Sequence, residues 1–206
     1  MEKQVSKNAY TFGSYTKIDR WSSYFYQLRE ILSRSPTSVL EVGIGEGIVR
    51  DYIKCRTTIH YQSIDVAEDL EPSMIGSVTS IPLPDDSVDI VCAFEILEHL
   101  PFEQFEKSVA ELFRVTKKNV IISLPHFGPP IIFEFKIPFL PRIRFAWKLP
   151  FPQRHVFDGQ HYWEIGKHGY SAGMIRAVLQ THGTLEFEFV PFENQYHHFF
   201  ILRKNA

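Results

Sequence analysis

The chain has 206 residues, of which 44% are hydrophobic and 22% are charged, and its formal net charge is −2. This length suffices for one well-packed hydrophobic core and is too short for two ordinary domains with a linker. The pI near 6.5 gives no overall basic field of the kind that grips nucleic acid. We therefore predict a single domain over residues 1–206, without a nucleic-acid partner.

The N-terminus and the cysteines predict the subcellular localisation. Residues 1–15 have no apolar core between their charges, and no run of about 18 uncharged apolar residues occurs in the sequence. Cys92 lies inside the apolar run "VDIVCAFEI", where it is best explained as a small buried hydrophobic residue. These features predict a cytoplasmic protein.

Helical and strand-like patterns alternate along the first 125 residues. An N-terminal helical segment, residues 1–36, contains "IDRWSSYFYQLREILSR" and precedes the strand "SVLEVG", a short helix after Gly47 and the strand "IHYQSID". The strand "VDIVCAF", the amphipathic helix "FEQFEKSVAELFRVTKK" and the strand "NVIISL" follow. Nearly continuous apolar strands between helices predict a parallel sheet covered on both faces.

The last part of the chain has a different pattern. A helix around "SAGMIRAVLQTHG" leads to the alternating strands "LEFEFVPF" and "HHFFILRK", which the turn-forming "ENQY" joins. We therefore predict an α/β fold with a doubly wound, mostly parallel sheet that a C-terminal antiparallel hairpin closes.

A segment dense in proline and aromatic residues lies between these two parts, at about residues 126–170. Connections of this length in a compact domain are usually functional lids or disordered, and the aromatic content argues against disorder. We predict an ordered cap over the acceptor site, inserted after the fifth strand and containing short helical pieces.

Residues 129–154 of this cap carry five basic side chains against the single acid Glu134. One interpretation is a solvated edge on a loop packed by aromatic residues. The other is a surface for peripheral membrane contact or for an anionic acceptor, because basic residues interleaved with Phe and Trp suit a lipid interface.

Three glycines, Gly43, Gly45 and Gly47, follow the first strand in "VLEVGIGEG". In an open parallel sheet, ligands bind beyond the carboxyl ends of the strands, where this turn exposes backbone N–H groups at a helix N-terminus. A dinucleotide fingerprint would place its third glycine at position 48, which is Ile48. The G-x-G-x-G spacing therefore disfavours a nicotinamide-dependent oxidoreductase.

With this turn, the chain resembles the class I S-adenosylmethionine-dependent methyltransferases, and among them the type 11-like domain. "VLEVGIGEG" is similar to their first motif, "SID" to the acidic end of their second strand, and "IPLPDDSVDIVCAFEILEHLP" to their third-to-fourth strand signature. "ELFRVTKKNVIISLP" is similar to the helix and fifth strand that follow. The resemblance implies a Rossmann-like, seven-stranded methyltransferase fold and S-adenosyl-L-methionine as cofactor.

The resemblance also implies which residues contact the cofactor. They are Glu41, Gly43, Gly45, Gly47, Asp65, Val66, Ser77, Val78, Phe94 and Glu95. The glycines with Glu41 would hold the methionine and ribose parts, and Asp65 would bind the ribose diol. Many relatives read the adenine amino group with an aspartate where this chain has Ser77, so this task would fall to Ser77, Val78 or backbone groups.

The catalytic candidates are histidines. Methyl transfer from a sulfonium needs alignment and a dry site more than a metal, and the His and Cys spacings contain no paired metal-ligand motif. We therefore expect no metal. If the acceptor is a hydroxyl, a histidine could remove its proton, and the candidates are His126, directly after the fifth strand, and His161 in the cap. His99 is better explained as structural.

The predicted function is methyl transfer to a small-molecule, sugar or lipid-linked acceptor. The alternative is a catalytically inactive, methyltransferase-like binding or regulatory module. The intact glycines and Asp65 favour an enzyme, whereas Ser77 and the lack of an unmistakable base leave the alternative open.

Overall fold

In residues 10–151 and 153–205, which the computed structural model describes, seven of nine strands form one mixed sheet. The strands are β1 Ser38–Val42, β2 His60–Asp65, β3 Met74–Ile75, β4 Val88–Phe94, β5 Thr116–Pro125, β6 Pro130–Phe135, β7 Ile143–Lys148, β8 Gly183–Phe189 and β9 His197–Lys204. The sheet order is β3-β2-β1-β4-β5-β9-β8, and β6 pairs only with β7. Strands β1 to β5 are parallel, and β9 is antiparallel to β5 and β8. The predicted fold class is confirmed.

Helices cover both faces of the sheet. The described residues contain α1 Ile18–Leu32, α2 Ile48–Arg56, α3 Phe105–Val115 and α4 Ala172–His182. Val39 of β1 packs with Ile31 and Ile53 on one face, and its neighbour Leu40 packs with Leu112 on the other. Because both faces are buried, the central strands are continuous apolar runs. None of these helices is both long and apolar enough to cross a membrane.

The predicted N-terminal helical segment, residues 1–36, contains α1. The part of that prediction on residues 1–9 lies outside the described residues.

One boundary differs from the prediction. The helix predicted to run through Lys118 ends at Val115, and β5 begins at Thr116. The Thr116 hydroxyl lies within hydrogen-bond distance of the carbonyl oxygens of Asp89 (3.0 Å) and Asn119 (2.9 Å). The contact with Asp89 on the neighbouring strand β4 and the contact with Asn119 within β5 hold the chain extended where the helical periodicity would continue.

The short helical pieces predicted for the cap are wrong. Within residues 126–170, the described part contains the antiparallel hairpin of β6 and β7 and no helix. Its strands are rich in Ile, Phe and Trp, which fit a pleated surface better than a helix. We call residues 130–148 the apolar hairpin.

Residues 163–165, near the end of the predicted cap, belong to the core. Trp163 is fully buried, and its indole nitrogen donates a hydrogen bond to the Leu100 carbonyl at 3.1 Å. Its ring packs edge-on against Phe102 and Phe105, with centroids 5.1 and 5.0 Å away. The chain around Trp163 is therefore scaffold that carries its neighbours to the sheet.

Candidate active site

The glycine turn joins β1 to α2 with left-handed backbone. Gly43, Gly45 and Gly47 have φ of 78°, 52° and 77°, values that glycine adopts readily and other residues rarely do. The Gly43 N–H donates to the Ile64 carbonyl at 2.9 Å, which ties the turn to the end of β2. Gly47 is the N-cap of α2, so the turn ends at a helix N-terminus, which favours negatively charged or hydrogen-bond-accepting ligands.

Asp65 fixes this turn with both oxygens of its carboxylate. Oδ2 accepts a hydrogen bond from the Ile44 N–H at 3.0 Å, and Oδ1 accepts one from the Ala67 N–H at 2.8 Å. Each carboxylate oxygen can accept a second hydrogen bond. Asp65 can therefore bind a diol while it holds the turn, as a ribose contact requires.

A small cavity of about 40 Å³ adjoins Asp65. Its lining includes Val66, Gly76 and Val78, together with the side chain of Ile96 over Gly43. The predicted contacts Val66 and Val78 thus come together beside Asp65. Ser77 is engaged locally instead, with its hydroxyl 3.0 Å from that of Thr79.

Glu41 lies behind the turn rather than in an open cleft. Its side chain belongs to a residue only 4% exposed, and its carboxyl accepts a hydrogen bond from the Tyr61 hydroxyl on β2. Burial raises the pKa of Glu41 to about 8, although the Tyr61 hydrogen bond and the charge of Arg50 oppose the shift. This geometry favours a structural contribution from Glu41 to the turn.

Replacing Glu41 with glutamine is expected to reduce the loss of stability at rising pH. The folded protein holds a proton on Glu41 up to about pH 8, whereas the unfolded chain releases it above about pH 4.5. The free energy of unfolding therefore falls as pH rises across this window, by at most roughly 1.4 kcal/mol per pH unit. Urea titrations between pH 5.5 and 8 should show a shallower fall for the variant.

The matched control for Glu41→Gln is Asp51→Asn, which neutralises an exposed carboxylate on α2. Its pH dependence should stay parallel to that of the wild type. A parallel dependence for Glu41→Gln as well would show that Glu41 ionises normally in the folded protein.

The N-terminal segment covers the glycine turn. The Tyr24 hydroxyl donates a hydrogen bond to Glu46 at 2.6 Å, and the Thr16 hydroxyl donates to the same carboxylate. Tyr10 packs on the apolar cluster of Ile44, Ala67 and Leu70 beside the turn. In the sequence, only the acidic residue inside the glycine motif, Glu46, indicates that another segment could bind to the turn.

The carboxyl end of β4 carries buried acids. Phe94 packs on Phe199, with centroids 6.3 Å apart, and Glu95 follows with φ of 55°, an uncommon left-handed value for a non-glycine residue. Burial raises the pKa of Glu95 to about 7 against the opposing charge of Arg20. Glu98 is fully buried, and burial and the charge of Glu95 raise its pKa well above the usual range.

His161 reaches this end of the sheet from the predicted cap. Its Nδ1 lies 3.0 Å from Oε1 of Glu164, which also accepts a hydrogen bond of 2.5 Å from the Tyr196 hydroxyl. Its Nε2 lies 4.0 Å from Oε1 of Glu98. The ring of His99 stands edge-on to it at 5.0 Å. The structure thus places this sequence-predicted histidine beside the acids that follow β4.

His126 is placed differently. Its ring stacks on that of His198, with the two Nδ1 atoms 3.1 Å apart, and Lys148 donates a hydrogen bond to its carbonyl oxygen. Burial, together with the charges of Lys148 and His198, lowers the pKa of His126 to about 3. A histidine with so little proton affinity is a poor general base at neutral pH.

His126 does line a cavity of about 740 Å³ at the base of the apolar hairpin. The aromatic and aliphatic side chains in its lining include Phe127, Trp147, Leu149 and Phe151. This volume suits a drug-sized molecule. Val190 after β8 and Gln195 before β9 also line the cavity, so it opens at the end of β5 on the side of β9.

Comparison with known proteins identifies the domain type. Residues 40–124 match the family described as "Methyltransferase domain". No curated protein matches the chain.

Solved structures of methyltransferases share the fold at low identity. N-methyltransferase NodS from Bradyrhizobium japonicum, in complex with S-adenosyl-L-homocysteine, is 10% identical with a TM-score of 0.64, over 96% of this chain and 94% of that one. The 1,6-didemethyltoxoflavin-N1-methyltransferase of Burkholderia thailandensis is 14% identical with a TM-score of 0.61, over 89% and 77%. Magnesium protoporphyrin IX methyltransferase from Synechocystis is 10% identical with a TM-score of 0.62, over 91% and 84%.

Proposed function

Because the chain carries a class I S-adenosylmethionine-dependent methyltransferase domain, we propose that it methylates an acceptor held in, or linked to, a lipid phase. When bound, S-adenosylmethionine supplies a methyl group on a positively charged sulfur atom. The glycine turn and Asp65 would hold the cofactor, and the large cavity at the end of β5 would hold the acceptor. The choice of a lipid-phase acceptor rests on the exposed apolar face of the hairpin.

This hairpin presents a wholly apolar face. The register pairs Ile131 with Trp147, Phe133 with Phe145 and Phe135 with Ile143, so all six side chains share one face. They are between 46% and 59% exposed, and Phe139 in the connecting turn is fully exposed. Contiguous exposed apolar patches of this kind mark membrane or protein contact sites.

The polar face of the hairpin is turned toward the rest of the domain. Arg144 lies 2.6 Å from Glu193 and 3.2 Å from Glu134, and Arg142 lies 3.0 Å from the same Glu134. Lys148 donates to the His126 carbonyl. Arg142 and Arg144 are thus paired with acids of the protein, and the hairpin would enter a lipid surface mainly through its apolar side chains.

The acceptor route follows from this geometry. Trp147 belongs to the apolar face, and it also lines the large cavity. A lipid-anchored acceptor could therefore pass from the bilayer surface along the hairpin into the cavity without leaving apolar surroundings. Water-soluble small molecules and sugars are the competing acceptor classes.

Of the two predicted catalytic histidines, we assign His161 to the reacting end of the acceptor, because it lies beside the acids after β4 and outside the lining of the large cavity. Glu164 holds its Nδ1, so the proton resides there and Nε2 keeps a lone pair on the side of Glu98. His126 would contribute to the wall of the acceptor cavity instead.

The test is transfer of a labelled methyl group into lipid. The protein is incubated with methyl-labelled S-adenosylmethionine and vesicles of total lipid extract, and label is expected in the organic phase. The double variant Phe133→Ser and Phe145→Ser should reduce both labelling and vesicle flotation by about tenfold or more, because each phenyl ring buried in lipid contributes roughly 1.5–3 kcal/mol. Its affinity for S-adenosylhomocysteine should change less than about threefold.

The control is Phe25→Ser on α1, an exposed phenyl ring that does not belong to the apolar hairpin, which should leave labelling and flotation unchanged. Label confined to water-soluble products, with flotation equal in all variants, would reject a lipid-phase acceptor. The methyltransferase assignment would survive that outcome, because it rests on the cofactor site.

A further inference from the structure

The fold brings together three side chains that are typical metal ligands. Ligand atoms of Glu98, His99 and His161 all lie within 4.8 Å of one another. Glu98 and His99 belong to the helical turn Leu97–His99 directly after β4, whereas His161 is distant in the sequence. The expectation of no metal is based on the spacing of His and Cys in the sequence. It does not cover this set, because His161 joins Glu98 and His99 only in the folded chain.

The buried carboxyl group of Glu98 lacks a hydrogen-bond partner in the part of the chain that the structure describes. It is fully buried, and neither carboxylate oxygen has a hydrogen-bond partner among the described residues. One oxygen of the neighbouring Glu95 is likewise buried without a partner. Leaving such a group unsatisfied costs about 1–3 kcal/mol, and more when the group is charged. The unsatisfied oxygens of these two adjacent acids are therefore available as ligand atoms for a cation.

His161 is oriented as metal-binding histidines usually are. The Nδ1 of His161 is held by Glu164, which directs Nε2 toward Glu98. A carboxylate or carbonyl behind the distal nitrogen is the usual partner of a ligating imidazole. The 4.0 Å between Nε2 and the Glu98 oxygen suits two ligands of one cation, since ligands about 2.1 Å from a metal lie about 3–4 Å apart. His99 has a similar partner, with Nδ1 3.1 Å from the Gln160 carbonyl.

We propose that Glu98 and His161, with His99 as third ligand, bind a divalent transition-metal cation such as Mn²⁺ or Zn²⁺. Two imidazoles with a carboxylate favour these ions over Mg²⁺ and Ca²⁺, which prefer all-oxygen sites. Glu95 stands next to Glu98 as a further carboxylate.

A second group of potential ligands, Asp158, His161 and Glu164, shares one histidine with this set. Asp158 is exposed and already accepts hydrogen bonds from the backbone N–H groups of Gln160 and His161. Glu164 accepts from His161 and Tyr196. These acids therefore support His161 from behind, and the cation belongs on the Glu98 side.

The catalytic consequence, unlike the metal site itself, rests on the proposed methyl transfer. A cation after β4 would lie at the acceptor side of the cofactor, where it would orient an acceptor hydroxyl and favour release of its proton to water. The oxygen then forms a bond to the methyl carbon as the carbon–sulfur bond breaks, and the electron pair of that bond passes to sulfur.

The test measures metal binding without cofactor or acceptor. Protein stripped with a chelator and dialysed is titrated calorimetrically with Mn²⁺ and with Zn²⁺, and its thermal unfolding is followed with and without each ion. One ion per chain is expected, with a rise in melting temperature, because a ligand that binds only the folded state stabilises it. Glu98→Gln and His161→Asn should each weaken binding by about tenfold or more and reduce the thermal shift.

Matched controls replace exposed residues outside the set. Glu103→Gln lies on the next turn after Glu98, and His60→Asn lies on β2, and both should bind the ion like the wild type. Absence of binding by the wild type, or equal binding by all four variants, would overturn the proposal. Metal binding without any methyl transfer would instead leave the site standing and reject its catalytic role.

Discussion

Replacing Asp65 with alanine is expected to weaken the binding of S-adenosylhomocysteine by about 10- to 150-fold. Hydrogen bonds to a charged group contribute roughly 1.5–3 kcal/mol, and the carboxylate is placed to receive a ribose hydroxyl. The variant also loses the bonds from the Ile44 and Ala67 N–H groups that shape the glycine turn, so the ligand and the turn are affected together. Isothermal titration calorimetry gives the affinity directly.

The control for Asp65 is Glu68→Ala, which removes an exposed carboxylate from the turn that follows β2. Its affinity for S-adenosylhomocysteine should equal that of the wild type, and circular dichroism should show that both variants are folded. Unchanged affinity in Asp65→Ala would move the ribose contact to another group and remove the central element of the cofactor site.

The cofactor end of the site could be predicted because its signals are local. Gly43, Gly45 and Asp65 directly follow strands β1 and β2, and the carboxyl ends of parallel strands meet at one edge of the sheet. The strands themselves were readable because burial on both faces makes them continuous apolar runs. For such elements, sequence order alone fixes which side chains meet.

The acceptor end could not be predicted in the same way. The approach of His161 to Glu98 depends on how the segment after the apolar hairpin folds back onto the sheet, which no spacing in the sequence encodes. The cover of Tyr10 and Tyr24 over the glycine turn is equally non-local. The hairpin was missed because its short apolar strands, interrupted by prolines, resemble an irregular connection until they are paired.

The burial of Trp163 decides how the acceptor end is held together. This residue follows His161 by two positions and directly precedes Glu164 and Ile165, in the segment that sequence alone assigned to a cap. Trp163 and Ile165 are fully buried, whereas Trp147 on the apolar hairpin is 55% exposed. The same residue type therefore occupies a core position and a surface position within one predicted segment.

Trp163→Ala is expected to lower the free energy of unfolding by about 3–5 kcal/mol, since it leaves a cavity among Phe102 and Phe105 and removes the hydrogen bond to Leu100. Trp147→Ala should change it by less than about 0.5 kcal/mol, as exposed substitutions usually do. Urea unfolding measures both values. If Trp163→Ala does not fold, Trp163→Phe keeps most of the packing, loses the indole hydrogen bond and should cost less.

Equal stability of the Trp163 and Trp147 variants would mean that the segment after the hairpin is a loose cap. A selective loss in the Trp163 variants would show that the core itself holds this segment in place. His161 and Glu164 flank that tryptophan, so their position beside Glu98 would then be fixed by packing. Only the apolar hairpin would remain free to adapt to a lipid surface or an acceptor.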